Sequence, residues 1–176
     1  VTTIWIFFRT LHPTYRTFKL KITLILNGRT EEAFLKEAFA YYEQRLKHYV
    51  PFQCIEIPSP KALKSLTEEQ VKDKEYELLQ KHIQAGDILV LLDERGKEYR
   101  SVEFAKYLQV KMNQSTKNLV FICGGPYGFS EALLKRPHEK ISLSRMTFSH
   151  QMVRVFFAEQ LYRAFTILRN EPYHHE

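Results

Sequence analysis

The chain has 176 residues, 44% of them hydrophobic and 26% charged, enough for one well-buried domain and too few for two of ordinary size. Its longest apolar runs, such as residues 88–92, fall far short of the roughly 18 needed to cross a membrane, so a cytoplasmic globule without a membrane partner is expected. The net charge of +6 and a pI near 9.2 fit contact with a polyanion, but no run of Lys and Arg marks a dedicated nucleic-acid tail.

Residues 1–18 differ in character from the rest of the chain. A short aromatic and apolar run at 4–8 precedes Pro13 and scattered basic and hydroxyl residues. No basic stretch precedes the apolar run and no small-residue cleavage site lies after it, so a signal peptide is not expected. The segment is read as an extension outside a single core domain of residues 19–176.

From Lys19 the pattern becomes regular. Residues 21–26 (KITLIL) predict a strand closed by the turn signal Asn27-Gly28. Leu35, Ala38, Phe39, Tyr42, Leu46 and Tyr49 recur at helical spacing until Pro51. Residues 52–57 predict a second strand, with Pro58 and Pro60 marking the loop after it. Thr67 and Gln70 have capping-box spacing and open a polar helix to about Gln84. Residues 87–92 predict a third strand, nearly continuous in Val, Ile and Leu, as suits one covered on both faces. Ser101 is placed to cap a helix through Met112, and residues 119–123 form a fourth buried strand. Ser130 is placed to cap a short helix to Arg136. A short strand near Ile141 leads into residues 143–148, and a long final helix runs from about Ser149 to Leu168. This alternation predicts an α/β fold with a mostly parallel sheet and helices on both faces.

In such sheets ligands bind beyond the carboxyl ends of the strands, where loops present backbone donors. Residues 92–97 (LDERGK), 124–128 (GGPYG) and 143–148 (LSRMTF) fall at such ends. The Gly124-Gly125 pair suits close approach of a ligand to the backbone, but GGPYG matches neither the dinucleotide fingerprint nor the triphosphate loop. Cys54 and Cys123, each inside an apolar run, read as reduced core residues. No Cys/His spacing suggests zinc, and the adjacent His174 and His175 do not make a site, so no metal is expected. The final helix is apolar on most sides, which asks for more than one packing partner and leaves room for a second subunit. His150 and Arg154 share one side of its start and lie directly after a candidate ligand loop. Glu159 and Arg163 read as an ordinary surface ion pair.

The phrases FICGGPYGFS and LSRMTFSHQMVRVFFAEQLYRAFTILRNEPYHHE resemble the ribosomal RNA large-subunit methyltransferase H family, SPOUT-class enzymes of bacteria. The resemblance covers about residues 19–176 and is most specific in the final PYHHE and the helix before it. It implies an α/β domain with a C-terminal trefoil knot, acting as a homodimer. The implied activity is methylation of N3 of a pseudouridine in helix 69 of 23S rRNA, on the assembled ribosome, with S-adenosyl-L-methionine (SAM) as donor. By the same resemblance SAM is held by Leu92, Gly124, Leu143, Ser144, Arg145, Met146, Thr147 and Phe148. Catalytic positions fall on Arg154, Tyr173 and His174, and a substrate contact on His150. Many members have Pro where this chain has Ser149; Ser can cap a helix as Pro can start one, so little change is expected. Two further readings are a non-catalytic RNA-binding module of this fold and a SPOUT methyltransferase acting on tRNA.

Overall fold

The computed structural model describes residues 20–59 and 65–174; the extension at 1–18 and His175 lie outside them. Five parallel strands form one sheet in the order β2-β1-β4-β3-β5. They are β1 (Lys21–Asn27), β2 (Phe52–Ile57), β3 (Ile88–Glu98), β4 (Asn118–Cys123) and β5 (Glu139–Ser142). The helices are α1 (Ala33–Leu46), α2 (Glu68–Leu79), α3 (Ser101–Asn113), α4 (Glu131–Leu134) and α5 (Met152–Leu168). The expected α/β class and the predominantly parallel sheet are both present.

Side-chain alternation divides the core in two. Ile22, Leu24, Leu26, Phe121 and Val90 face α1, α3 and α5, whose contributions include Leu46, Phe104, Leu108, Phe157 and Leu161. Ile25, Leu89, Leu91, Val120 and Ile122 face the other way, toward Leu79 of α2 and Leu133 just before the end of α4. The central strands are therefore buried on both sides, which is why their sequences are almost continuously apolar.

Helix starts obey local chemistry where the sequence offers a cap. Gln70 N–H donates to Thr67 Oγ1 at 3.3 Å and Thr67 N–H to Gln70 Oε1 at 3.0 Å, completing the capping box of α2. That helix stops at Leu79 and tightens into a 3-10 turn at Gln80–His82, short of Gln84. Ser130 caps α4 through Leu133 N–H at 3.2 Å. Ser101 is not a cap: Arg100 holds that position, its N–H donates to Glu103 at 2.8 Å, and the Ser101 hydroxyl donates to Gln160 of α5 at 2.9 Å. Ser149 does act at the start of α5, accepting from Met152 N–H at 3.2 Å, although regular helix begins only at Met152.

The main departure from expectation is β3. It does not end at Leu92 but continues to Glu98, so LDERGK is strand and crossing rather than a terminal loop. Ile141 of β5 is matched with Leu92 and again with Lys97, with residues 93–96 inserted between. These four residues pass over the backbone of β5. At Gly96 a Cβ would lie 2.5 Å from the carbonyl carbon of Ile141 and 2.6 Å from its nitrogen. Backbone cannot yield as a side-chain tip can, so only glycine fits there. Gly96→Ala is expected to lower unfolding free energy by about 3 kcal/mol, the upper end for overpacking; urea denaturation monitored by circular dichroism measures it.

Candidate functional site

Because all five strands run the same way, their carboxyl ends share one edge, and a cleft of about 910 Å³ opens there. Leu92 and Asp93 of β3 form one wall, Gly124 to Phe129 after β4 a second, and Ile141 to Ser144 with Met146 to Phe148 a third. Lys72 of α2 and His150 and Val153 near the start of α5 complete it. Its size and its mixture of apolar side chains with backbone polar groups suit a nucleoside-sized ligand. Leu92, Gly124, Leu143, Ser144, Met146, Thr147 and Phe148, named from the sequence, thus line one cavity. Arg145 does not: its side chain is 89% exposed and pairs with Glu98 at 3.2 Å on the outside, leaving only its backbone near the cleft.

The third wall organises itself. Ser142 Oγ donates to Ser144 O and Ser144 Oγ accepts from Met146 N–H, both at 2.9 Å, folding residues 142–146 into a tight turn. Phe148 packs against Phe156 of α5 in a tilted pair with ring centroids 4.8 Å apart. On the first wall, burial works against the charge of Asp93. The N–H of Arg95 at 3.0 Å and the Lys140 ammonium at 3.2 Å outweigh it and hold the carboxyl below its ordinary range. Burial, and after it the charge of Arg154, pulls His150 below its ordinary pKa against the opposing Glu31, which favours a neutral imidazole beside the cleft.

Arg154 is not at the surface of the cleft. It is 1% exposed. Its Nε donates to His150 O at 3.0 Å, Nη1 to Thr30 Oγ1 at 2.9 Å and Nη2 to Asn27 O at 2.7 Å, with Glu56 at 3.8 Å. One guanidinium thereby ties the end of β1, the loop after it and β2 to the first turn of α5. Gln151 adds a second tie that the sequence did not disclose: its Oε1 accepts from Glu31 N–H at 2.8 Å, just ahead of α1. Both are polar residues at a helix start whose partners in β1, β2 and the loop before α1 lie about a hundred or more residues away, so no local pattern reveals those ties.

Tyr173 and His174 stand apart from the cleft. The Tyr173 hydroxyl donates to Glu159 at 3.2 Å, its ring meets Tyr162 edge-on at 4.8 Å, and the Arg163 guanidinium lies 4.8 Å over it. Arg163 bonds Glu159 at 2.6 Å and approaches His174 Nδ1 at 3.5 Å. The Glu159–Arg163 pair is therefore a clamp for the chain end rather than a bare surface pair. His174 Nε2 is buried and has no partner among the described residues. In one copy of the chain these residues do not meet the cleft-lining ones.

A parallel α/β sheet with a cleft at its carboxyl edge defines the class of α/β proteins that bind ligands beyond their strand ends. The family model described as predicted SPOUT methyltransferase matches residues 20–174. Proteins named ribosomal RNA large subunit methyltransferase H are 57% identical in Parabacteroides distasonis and 55% in Bacteroides fragilis. Each alignment covers 89% of this chain and 100% of the relative. The homologue in Christiangramia forsetii is 53% identical over 89% of this chain and 99% of its own. Among solved structures, a probable methylase family protein from Haemophilus influenzae superposes with a TM-score of 0.50 at 12% identity, over 86% of this chain and 66% of its own, a likeness of fold alone. The chain belongs to the SPOUT methyltransferase family, and is an enzyme of that kind. Arg154→Ala is expected to cost about 3–5 kcal/mol of stability, because it strands the buried partners of the guanidinium; chemical denaturation reads the loss.

Proposed function

We propose that this protein transfers the methyl group of SAM to N3 of a pseudouridine in helix 69 of 23S rRNA on the assembled ribosome, in the cytoplasm, as a homodimer with a C-terminal trefoil knot. The observation that carries this reading is the meeting of residues 92, 124, 143, 144 and 146–148 in one cleft, in a chain more than half identical to ribosomal RNA methyltransferases. The cleft fits the donor. Leu92, Leu143, Phe129 and Phe148 offer apolar surface for an adenosyl group, while the glycines leave backbone accessible. Among the described residues no cluster of three or more His, Cys, Asp or Glu is placed to hold a metal.

When bound, SAM supplies an electrophilic methyl group activated by its sulfonium, which leaves alignment and proton removal to the protein. Leu92, Gly124 and residues 143–148 hold it, Arg145 through backbone alone. His150, neutral and on the cleft, is placed to take the N3 proton or to bind the base. Arg154 acts through His150, whose carbonyl it holds. Tyr173 and His174 reach a cleft only from another copy of the chain, so their catalytic part is played across the dimer. The face of α5 that carries Phe156, 40% exposed, is the surface offered to that copy.

Labelled SAM incubated with ribosomes lacking the modification should pass its methyl to 23S rRNA at the pseudouridine. Label in tRNA, or binding without transfer, would replace this reading by one of its rivals. Gly124→Val is expected to abolish SAM binding in calorimetry with the fold kept, because its side chain would block approach of the donor to the backbone that lines the cleft. Truncation after Pro172 should keep SAM binding and lose methyl transfer; an active truncated protein would remove Tyr173 and His174 from the mechanism.

A further inference from the structure

Glu75 is the one acidic side chain among the described residues that is buried, at 4% exposure. No hydrogen bond or ion pair engages its carboxylate there. It continues the side of α2 that brings Glu68 and Lys72 to the cleft, since positions 68, 72 and 75 are spaced i, i+4 and i+7. Its head points at the glycine loop oxygen-first. A Cβ on Gly125 would lie 2.5 Å from Oε1 and 2.7 Å from Oε2, but 2.9 Å from the carboxyl carbon. Gly125 lines the cleft. A stretch of backbone without a side chain is thus what stands between an uncompensated acid and whatever occupies the cavity.

A buried acid with no partner is costly when ionised, and burial alone pushes this carboxyl up to about 7. The ionisable groups of the elements around it are committed elsewhere or lie open to solvent. Glu131 and Lys135 of α4 pair with each other at 3.4 Å, Glu56 of β2 serves Thr30 and Arg154, and Lys21 of β1 bonds Gln53. Glu68 and Tyr127 are exposed, and Lys72 forms no ion pair with Glu75. What the site lacks is a cation, and the proposed donor is one. At short range in a poorly solvated place, opposite charges attract strongly without touching.

We propose that Glu75 is the counter-charge for the sulfonium of the donor, an anion behind Gly125 that a cationic ligand draws into its ionised form and a neutral one does not. This rests on the SAM reading above. Its consequence is discrimination between donor and product. Methyl transfer turns the sulfonium into a neutral thioether, the attraction is lost, and S-adenosylhomocysteine leaves more readily than SAM. Binding of SAM drives the Glu75 carboxyl proton into the buffer; binding of the product does not.

Calorimetry of SAM and S-adenosylhomocysteine with the full chain and its Glu75→Gln variant tests this. In the unaltered protein SAM affinity should rise with pH and level off above about 7, where Glu75 is already ionised without ligand. Glu75→Gln, of the same shape, should bind SAM about tenfold more weakly at neutral pH, the equivalent of one pKa unit, and keep its affinity for the product. An equal loss for both ligands would make Glu75 a packing residue under Gly125 and overturn the proposal, as would unchanged SAM affinity. Should the variant not fold, the unaltered protein still decides: titrations in buffers of different ionisation enthalpy should show proton release with SAM and none with S-adenosylhomocysteine, and equal release overturns it. If neither ligand binds the unaltered protein, the SAM reading itself fails.

Discussion

The passage of residues 93–96 across the backbone of Ile141 is the constraint to which the rest of the carboxyl edge is referenced. It is a contact between two backbones, so it has almost no slack. It holds Leu92 and Asp93 on one side of β5 and Lys97 and Glu98 on the other, and fixes β5 between them. The turn after β5 then begins from a fixed point, and its two serine hydroxyls need only fold residues 142–146 back on themselves. The Asp93–Lys140 pair joins the crossing segment to β5 at the cleft wall. A pocket built from loops would ordinarily be mobile. Here two of its three walls are anchored on a crossing that admits only glycine.

The other half of the cleft is organised by α5. Its apolarity on most sides invites the idea of a large external interface, yet much of that surface is used inside one chain. The helix lies on the sheet with α1 along one flank and α3 along the other, burying Phe157, Leu161 and Phe165. What remains outside is narrow and centres on Phe156 and the Phe148 ring packed against it. The same helix carries Arg154 inward to the end of β1 and Glu159 and Arg163 outward to the chain end. One element therefore positions both the cleft wall and the terminal residues, on different sides.

Most of the fold was legible in the sequence, because its signals are local. The capping residues of α2 and α4, the apolar runs of the central strands and the glycine pair after β4 all report on neighbours a few residues away. The failures share one cause. The charged segment DERG looks like a loop because strand patterns are read from alternation or apolarity, whereas its course is imposed by the residues flanking it, Leu92 and Lys97, both matched with Ile141 more than 40 residues later in the chain. Arg154 looks like a surface cation at a helix start, since its buried acceptors come from β1 and the loop beyond it. Glu75, within the polar stretch DKEYE, looks solvated until α2 is laid beneath the loop at Gly125. In the site, the glycine and the residues after β5 could be found from strand ends and family likeness; burial and reach could not.

The ties made by Arg154 span 124 and 127 positions of sequence, from α5 back to Thr30 and Asn27. Contacts so distant form late, after shorter loops have closed. The five strands precede α5 in the chain and can pair before it docks. Until α5 docks, the chain carries a nearly complete sheet with one side of its cavity missing.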